Sequence, residues 1–178
     1  MRKPDGVIEY FLQPGELHFG DRYTRLRTVL GSCVSLVFWH PQELVGGMSH
    51  FMLPSRGCRG GATPDGRYAD EAMQLMLDEI RRHGLTPASF RLRIFGGGNM
   101  FPELTRRHDR HIGKKNVEAA LALLQNHCLT CVGAHVEGYG HRHLLFDIWS
   151  GHVHLRHSTL VADQADSGAS TACKPSRS

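Results

Sequence analysis

Residues 33–39 read CVSLVFW, residues 40–43 read HPQE, and residues 44–53 read LVGGMSHFML. The β-branched and aromatic residues of the first segment predict a strand, the polar segment predicts a turn, and the last segment predicts a returning strand. If Trp39 pairs with Leu44, the register sets Cys33 opposite His50 on one side of an antiparallel ladder. Directly opposed side chains have Cβ atoms roughly 4.5–5.5 Å apart. The stretch therefore predicts a β-hairpin that brings a thiol next to an imidazole.

The predicted Cys33–His50 pair is a candidate nucleophile and base. An imidazole at this distance can accept the thiol proton, which leaves a nucleophilic thiolate. The alternative interpretation is structural, because a cysteine in a buried strand often serves as a small hydrophobe and a one-residue slip of register moves a side chain to the opposite face. Gly31 and Ser32 interrupt the strand pattern just before Cys33, and a turn there would leave main-chain N–H groups free to bind an oxyanion.

The composition argues against several classes of protein. Five cysteines in 178 residues form an odd, scattered set, which argues against a disulfide framework and predicts a reducing, cytoplasmic environment. No apolar run reaches the roughly 18 residues of a membrane-spanning helix, and no signal-peptide pattern follows the basic start, so we expect no membrane insertion. The formal net charge is only +4 and the basic residues are dispersed, which argues against a nucleic-acid partner.

Hydrophobic periodicity predicts the remaining elements. An amphipathic helix is expected before Gly84, which is placed as a stop. Its apolar face has helical spacing and consists of Ala69, Ala72, Met73, Met76, Leu77 and Ile80. A second helix is expected over residues 116–127, with Asn116 as its N-cap. Further strands are expected over residues 7–12, 25–30, 90–95, 129–136, 144–149 and 152–156.

The order of these elements predicts the fold class. Strands outnumber helices and come mostly as hairpins, a pattern that favours an α+β domain over a doubly wound sheet. We expect layered, β-sandwich-like sheets with the helices packed outside, in one domain over residues 1–157. Residues 158–178 are rich in Ser and Ala and have little to bury, so they predict a disordered C-terminal tail.

Residues 127–135, HCLTCVGAH, raise a rival hypothesis of metal binding. Cys128 and Cys131, with His127 and His135 on either side, resemble part of a zinc site. No second ligand pair follows at the usual spacing, and a strand at Cys131 would leave Cys128 at the preceding helix exit. The pattern is therefore incomplete, and we predict neither a metal ion nor an organic cofactor.

Five segments in order, over about residues 7–156, resemble one known family. They read LGSCV at residues 30–34, SHFMLP at 49–54, RYAD at 67–70, FGGGNM at 95–100 and IGKKN at 112–116. Each motif alone is moderately specific, and the five in sequence are strongly so. Together they resemble the CheD chemoreceptor glutamine deamidases.

The resemblance implies an activity and a fold. Members of this family hydrolyse the side-chain amide of particular glutamines on methyl-accepting chemotaxis receptors, which yields glutamate and ammonia. The implied fold is similar to the catalytic domain of the cytotoxic necrotizing factor deamidases. The family's nucleophile falls on Cys33 and its general base on His50. Its third member is a threonine a few residues before the cysteine, for which Thr28 is the natural occupant and Thr24 the alternative.

The resemblance also implies partners for a protein that we expect to be a monomer. These are the cytoplasmic helical domains of chemoreceptors and a CheC-type chemotaxis phosphatase. A rival hypothesis is a non-enzymatic adaptor whose main output is docking to such partners. One departure from the family is Lys115, which precedes Asn116 where an arginine is usual, because lysine keeps the charge but loses the bidentate fork.

Overall fold

The computed structural model describes residues 1–57, 63–100 and 112–158 of the chain. Within these residues the strands are β1 (Ile8–Phe11), β2 (Leu17–Gly20), β3 (Thr24–Leu30), β4 (Val34–His40), β5 (Val45–Ser49), β6 (Arg91–Gly96), β7 (Cys131–Val136), β8 (His141–Asp147) and β9 (His152–Ser158). The α-helices are α1 (Ala69–Arg82) and α2 (Ile112–Asn126). Neither helix is long and apolar enough to cross a membrane.

The strands form two mixed sheets. The four-stranded sheet has the order β1-β3-β8-β9, and the five-stranded sheet has the order β2-β5-β4-β6-β7. In each sheet one edge strand runs parallel to its neighbour, β1 beside β3 and β7 beside β6, while the other pairs are antiparallel. The predicted α+β class is confirmed.

Two hydrophobic cores hold three layers together. One core lies between the helices and the five-stranded sheet, and the other lies between the two sheets. The residues of β4 alternate between them: Val34, Leu36 and Phe38 face the helices, and Val37 faces the other sheet. Both helices therefore pack outside the sandwich, as expected, and both contact the five-stranded sheet.

The register of the β4–β5 hairpin differs from the predicted one by two residues. His40 pairs with Val45, so Leu44 belongs to the turn instead of pairing with Trp39. The cause lies in the turn itself, because Leu44 has a left-handed φ of 53° and its N–H donates to the carbonyl of His40. A shift of two residues keeps every side chain on its predicted face.

The other predicted elements are mostly present. The six apolar residues predicted for one face of α1 are all buried. The returning strand ends at Ser49 rather than at Leu53, and β2 was not predicted. The N-cap prediction for Asn116 is wrong, because α2 already includes Ile112 and Asn116 is fully buried inside the helix. Residues 159–178 of the predicted tail lie outside the described residues.

Candidate active site

The predicted site residues lie at one end of the space between the two sheets. Thr28 is on β3 of the four-stranded sheet, Cys33 directly precedes β4, and His50 directly follows β5. Cys33 packs against the core between the sheets, and His50 reaches Thr28 across the same space. The sandwich therefore brings together side chains from both sheets.

His50 is held by its ring and by its main chain. Its main-chain N–H donates to the carbonyl of Glu16 at 2.9 Å, and its carbonyl accepts from the N–H of Gly15 at 2.7 Å. Its Nδ1 atom lies 2.8 Å from Oγ1 of Thr28. The imidazole is 2% exposed, so these contacts fix its orientation in a buried setting.

The hydrogen bonds of Thr28 assign the tautomer of His50. The Thr28 hydroxyl donates its single hydrogen to the carbonyl of Leu12 at 2.8 Å. Because that hydrogen is committed, Oγ1 accepts the hydrogen on Nδ1 of His50. The other ring nitrogen, Nε2, then carries a lone pair, and this buried atom has no hydrogen-bond partner among the described residues. In this tautomer, Nε2 is the ring nitrogen of His50 that can accept a proton.

Cys33 and His50 are diagonal neighbours rather than an opposed pair. Between them lies the pair Val34 and Phe51, whose main chains exchange two hydrogen bonds of 3.0 Å each. The same register sets Ser35 opposite His50. Diagonal neighbours on one face are roughly 7–8 Å apart at the backbone, a span that long or aromatic side chains can bridge.

Burial favours the neutral forms of both groups. It raises the pKa of the Cys33 thiol, and the cysteine's own main-chain N–H offsets part of this rise. It lowers the pKa of His50, against smaller opposite effects of the Leu12 carbonyl and the Glu16 carboxylate. Both shifts therefore favour an uncharged thiol and an uncharged imidazole over a thiolate–imidazolium pair.

The carbonyls of the turn before β4 are held by three hydrogen bonds. The donors to the three carbonyls are the N–H of Gly98 (2.9 Å to Gly31 O), Nδ2 of Asn116 (3.0 Å to Ser32 O) and the N–H of Gly97 (2.8 Å to Cys33 O). In contrast, the N–H groups of Ser32 and Cys33 donate to no other residue in the described part of the chain. Two N–H groups that lie beside a thiol, in a turn whose carbonyls are held, are suited to stabilise an oxyanion.

Asn116 contacts this site, although the sequence predicted only an N-cap at this position. It is 0% exposed, and its side chain reaches the turn that contains Ser32. The burial of Asn116 could be predicted from the sequence, because Asn116, Ala120 and Leu124 follow each other at four-residue intervals on the buried face of α2. A polar residue in such a series must find buried partners.

Two alternatives left open by the sequence lie away from this site. Thr24 is at the opposite end of β3 from Thr28, and its hydroxyl lies 3.4 Å from the carboxylate of Asp21. Cys128 is exposed and follows α2. Among the described residues, no three His, Cys, Asp or Glu side chains converge as they would to hold a metal ion.

Comparisons with known proteins agree with one another. Residues 52–157 match the family model described as CheD chemotactic sensory transduction. A protein of Pseudomonas savastanoi pv. phaseolicola named "Probable chemoreceptor glutamine deamidase CheD" is 46% identical over 169 residues, which cover 93% of this chain and 94% of the relative. A protein of Pseudomonas fluorescens with the same name is 43% identical and covers 99% of this chain and 100% of the relative.

One solved structure is a more distant match. The crystal structure of the Bacillus licheniformis hypothetical protein YfiH is 21% identical, with a TM-score of 0.39, and covers 68% of this chain and 49% of that chain. A likeness at this level bears on neither fold nor activity.

Proposed function

The chain belongs to the CheD family, and we propose that it hydrolyses glutamine side chains of chemoreceptors to glutamate with release of ammonia. The names of its relatives support the reaction and the substrate class. The observation that carries the chemistry is the orientation of His50, whose Nδ1 hydrogen is held by Thr28 while Nε2 is left as a free base.

In the first step, Cys33 is the nucleophile and His50 the base. Nε2 of His50 takes the thiol proton, and the sulfur attacks the carbon of the glutamine amide to form a carbon–sulfur bond. The electron pair of the amide carbonyl moves to its oxygen. The imidazolium then protonates the nitrogen, which leaves as ammonia when the carbon–nitrogen bond breaks, and a thioester remains on Cys33.

In the second step, the same imidazole activates water. Nε2 of His50 takes a proton from the water as its oxygen attacks the thioester carbon. The carbon–sulfur bond then breaks and the glutamate side chain is released, while the proton on His50 returns to the sulfur of Cys33. In both steps the N–H groups of Ser32 and Cys33 stabilise the oxyanion, and removing one such donor typically costs about 3–4 kcal/mol of transition-state stabilisation.

The proposed substrate is the cytoplasmic helical domain of a chemoreceptor. A CheC-type phosphatase is the further partner that the family suggests. A catalytic role is favoured over a purely docking role because an adaptor has no use for a buried base of assigned tautomer. Neither step calls on a metal ion or an organic cofactor.

The test uses the purified chain and a receptor cytoplasmic fragment, with ammonia release and the glutamine-to-glutamate mass change as readouts. We expect Cys33→Ala and His50→Ala to abolish both signals. The matched control is Cys131→Ala, because Cys131 is a free cysteine on β7, away from this site, and its loss should leave the rate unchanged. Deamidation by Cys33→Ala at the rate of the unaltered chain would overturn the proposed mechanism. Receptor binding that persists in Cys33→Ala, with unchanged chemotactic behaviour, would instead favour an adaptor.

A further inference from the structure

Asn116 connects α2 to the two chain segments that contain Cys33 and His50. Its side chain is fully buried, and its two Nδ2 hydrogens serve two carbonyls in different segments. One bond of 3.0 Å goes to the carbonyl of Ser32, and one of 2.8 Å goes to the carbonyl of Met52. Ser32 directly precedes Cys33, and Met52 follows His50 by two residues.

The bond to Ser32 determines where an oxyanion donor points. The carbonyl of Ser32 and the N–H of Cys33 belong to one planar trans peptide unit, so they point in opposite directions. A donor that fixes the carbonyl therefore fixes the direction of the N–H. The neighbouring carbonyls, of Gly31 and Cys33, are held by main-chain N–H groups of the glycine turn after β6.

The bond to Met52 keeps the two segments of the site in register. The β4–β5 register sets Met52 opposite Cys33, just beyond the pair of Val34 and Phe51. A single amide thus links the turn that carries the nucleophile to the segment that carries the base. Without it, two partly buried carbonyls would lose a donor, and the Ser32–Cys33 peptide would lose the contact that orients it.

We propose that Asn116 is a positioning residue that orients the Ser32–Cys33 peptide so that the Cys33 N–H meets the developing oxyanion. This inference rests on the proposed function. Asn116 acts through the peptide, from the side opposite the Cys33 N–H. Its loss should therefore impair the formation of a tetrahedral intermediate but not the reactivity of the thiol itself.

The test compares two reactions of the same cysteine. Deamidation passes through an oxyanion, whereas alkylation of the Cys33 sulfur by iodoacetamide does not. For Asn116→Ala we expect kcat for deamidation to fall by roughly 100-fold with KM little changed, by analogy with loss of an oxyanion donor. The rate of Cys33 alkylation and its pH profile should stay within about twofold of those of the unaltered chain, because they depend on the thiol and the imidazole.

The matched control is Leu124→Ala on the same buried face of α2. It should lower the thermal stability by removing packing but leave kcat of the folded protein unchanged. Should Asn116→Ala not fold, Asn116→Ser takes its place, because the shorter side chain keeps a polar group but cannot reach both carbonyls.

Either of two results would overturn the inference. One is deamidation by the Asn116 variant at the rate of the unaltered chain, and the other is an equal loss of deamidation and alkylation. The first would show that the peptide is held without the amide, and the second that Asn116 acts on the thiol or on the fold. A different result would show that the proposed function itself is wrong, namely deamidation that persists in Cys33→Ala.

Discussion

Thr28 and His50 belong to different sheets, yet Oγ1 of the threonine lies 2.8 Å from Nδ1 of the histidine. Because the Thr28 hydroxyl donates to the carbonyl of Leu12, its oxygen acts only as an acceptor toward the imidazole. The third group of the site is therefore neutral. It fixes the tautomer and the ring orientation of His50, but it supplies no charge to stabilise an imidazolium.

Replacement of Thr28 by valine keeps the shape of the side chain and removes the acceptor. His50 then loses the nearer of its two acceptors, and only the Leu12 carbonyl, 3.4 Å from Nδ1, remains. Loss of such a buried partner typically costs about 1–3 kcal/mol. We expect kcat for deamidation to fall by roughly 10- to 100-fold, since each 1.36 kcal/mol is a factor of ten in rate. The measurement is ammonia release from a receptor fragment under saturating conditions.

Two controls accompany the Thr28 prediction. Thr28→Ser retains a hydroxyl and should retain most of the activity, whereas Thr24→Val alters the other end of β3 and should leave kcat unchanged. A Thr28→Val protein with the kcat of the unaltered chain would show that the threonine is not needed to hold the imidazole.

The face of each site residue could be predicted from the sequence, but its partner across the sheet could not. Alternation along β4 and β5 sets Cys33 and His50 on one face, and a two-residue change of register leaves that result intact. The register itself depends on the left-handed φ of Leu44, a conformation that leucine rarely adopts. No local sequence pattern predicts such a turn.

The contacts that complete the site come from parts of the chain that are distant in sequence. Thr28 meets His50 only because the four-stranded sheet packs on the five-stranded sheet. The packing of two sheets produces no regular residue spacing in the sequence from which such a contact could be predicted. Likewise, Asn116 reaches Ser32 over 84 positions. The helical periodicity of α1 was predictable because six apolar residues repeat it, whereas one buried amide in α2 has no repeat.

The pH dependence should reveal a neutral thiol and imidazole at rest. An ordinary histidine has a pKa of about 6.5. Burial lowers the pKa of His50, so the imidazole is mostly unprotonated at that pH, and kcat/KM should fall only at lower pH. Burial raises the pKa of Cys33, so its alkylation by iodoacetamide should keep rising with pH beyond the ordinary thiol value of about 8.5.

Peptide-resolved mass spectrometry assigns the alkylation to Cys33 and separates it from the other four cysteines of the chain. The exposed Cys128 provides an internal reference for an unhindered thiol. Fast alkylation of Cys33 that is constant across neutral pH would contradict the prediction, because it would indicate a preformed thiolate–imidazolium pair.

Two buried serines on the same hairpin should respond oppositely to loss of the hydroxyl. Oγ of Ser35 has no hydrogen-bond partner among the described residues, whereas Oγ of Ser49 accepts from the N–H of Leu36 at 3.3 Å. Ser49→Ala should lower the free energy of unfolding by about 1 kcal/mol, since a buried donor loses its acceptor. Ser35→Ala should leave it unchanged or raise it. Denaturant unfolding measures both, and a loss in Ser35→Ala as large as in Ser49→Ala would contradict the prediction.

A methyl group at Gly97 should damage both the fold and the site. Gly97 has a φ of +71°, and an added Cβ would overlap Cγ2 of Val117 and lie 2.9 Å from the carbonyl oxygen of Gly113. Its N–H also holds the carbonyl of Cys33 at 2.8 Å, so a displaced turn would move Cys33. We expect Gly97→Ala to be destabilised by about 3 kcal/mol or more, from left-handed strain together with overpacking.

Gly84 provides the matched control for this change. Its φ is +69°, and a Cβ there would meet no atom within 4 Å. Gly84→Ala therefore carries the backbone strain alone, about 1–2 kcal/mol, and should deamidate at the normal rate. Thermal or denaturant unfolding gives the stability difference between the two variants, and ammonia release gives their activities. Equal losses of stability in the two proteins would show that the close contact of the turn with α2 contributes nothing beyond backbone conformation.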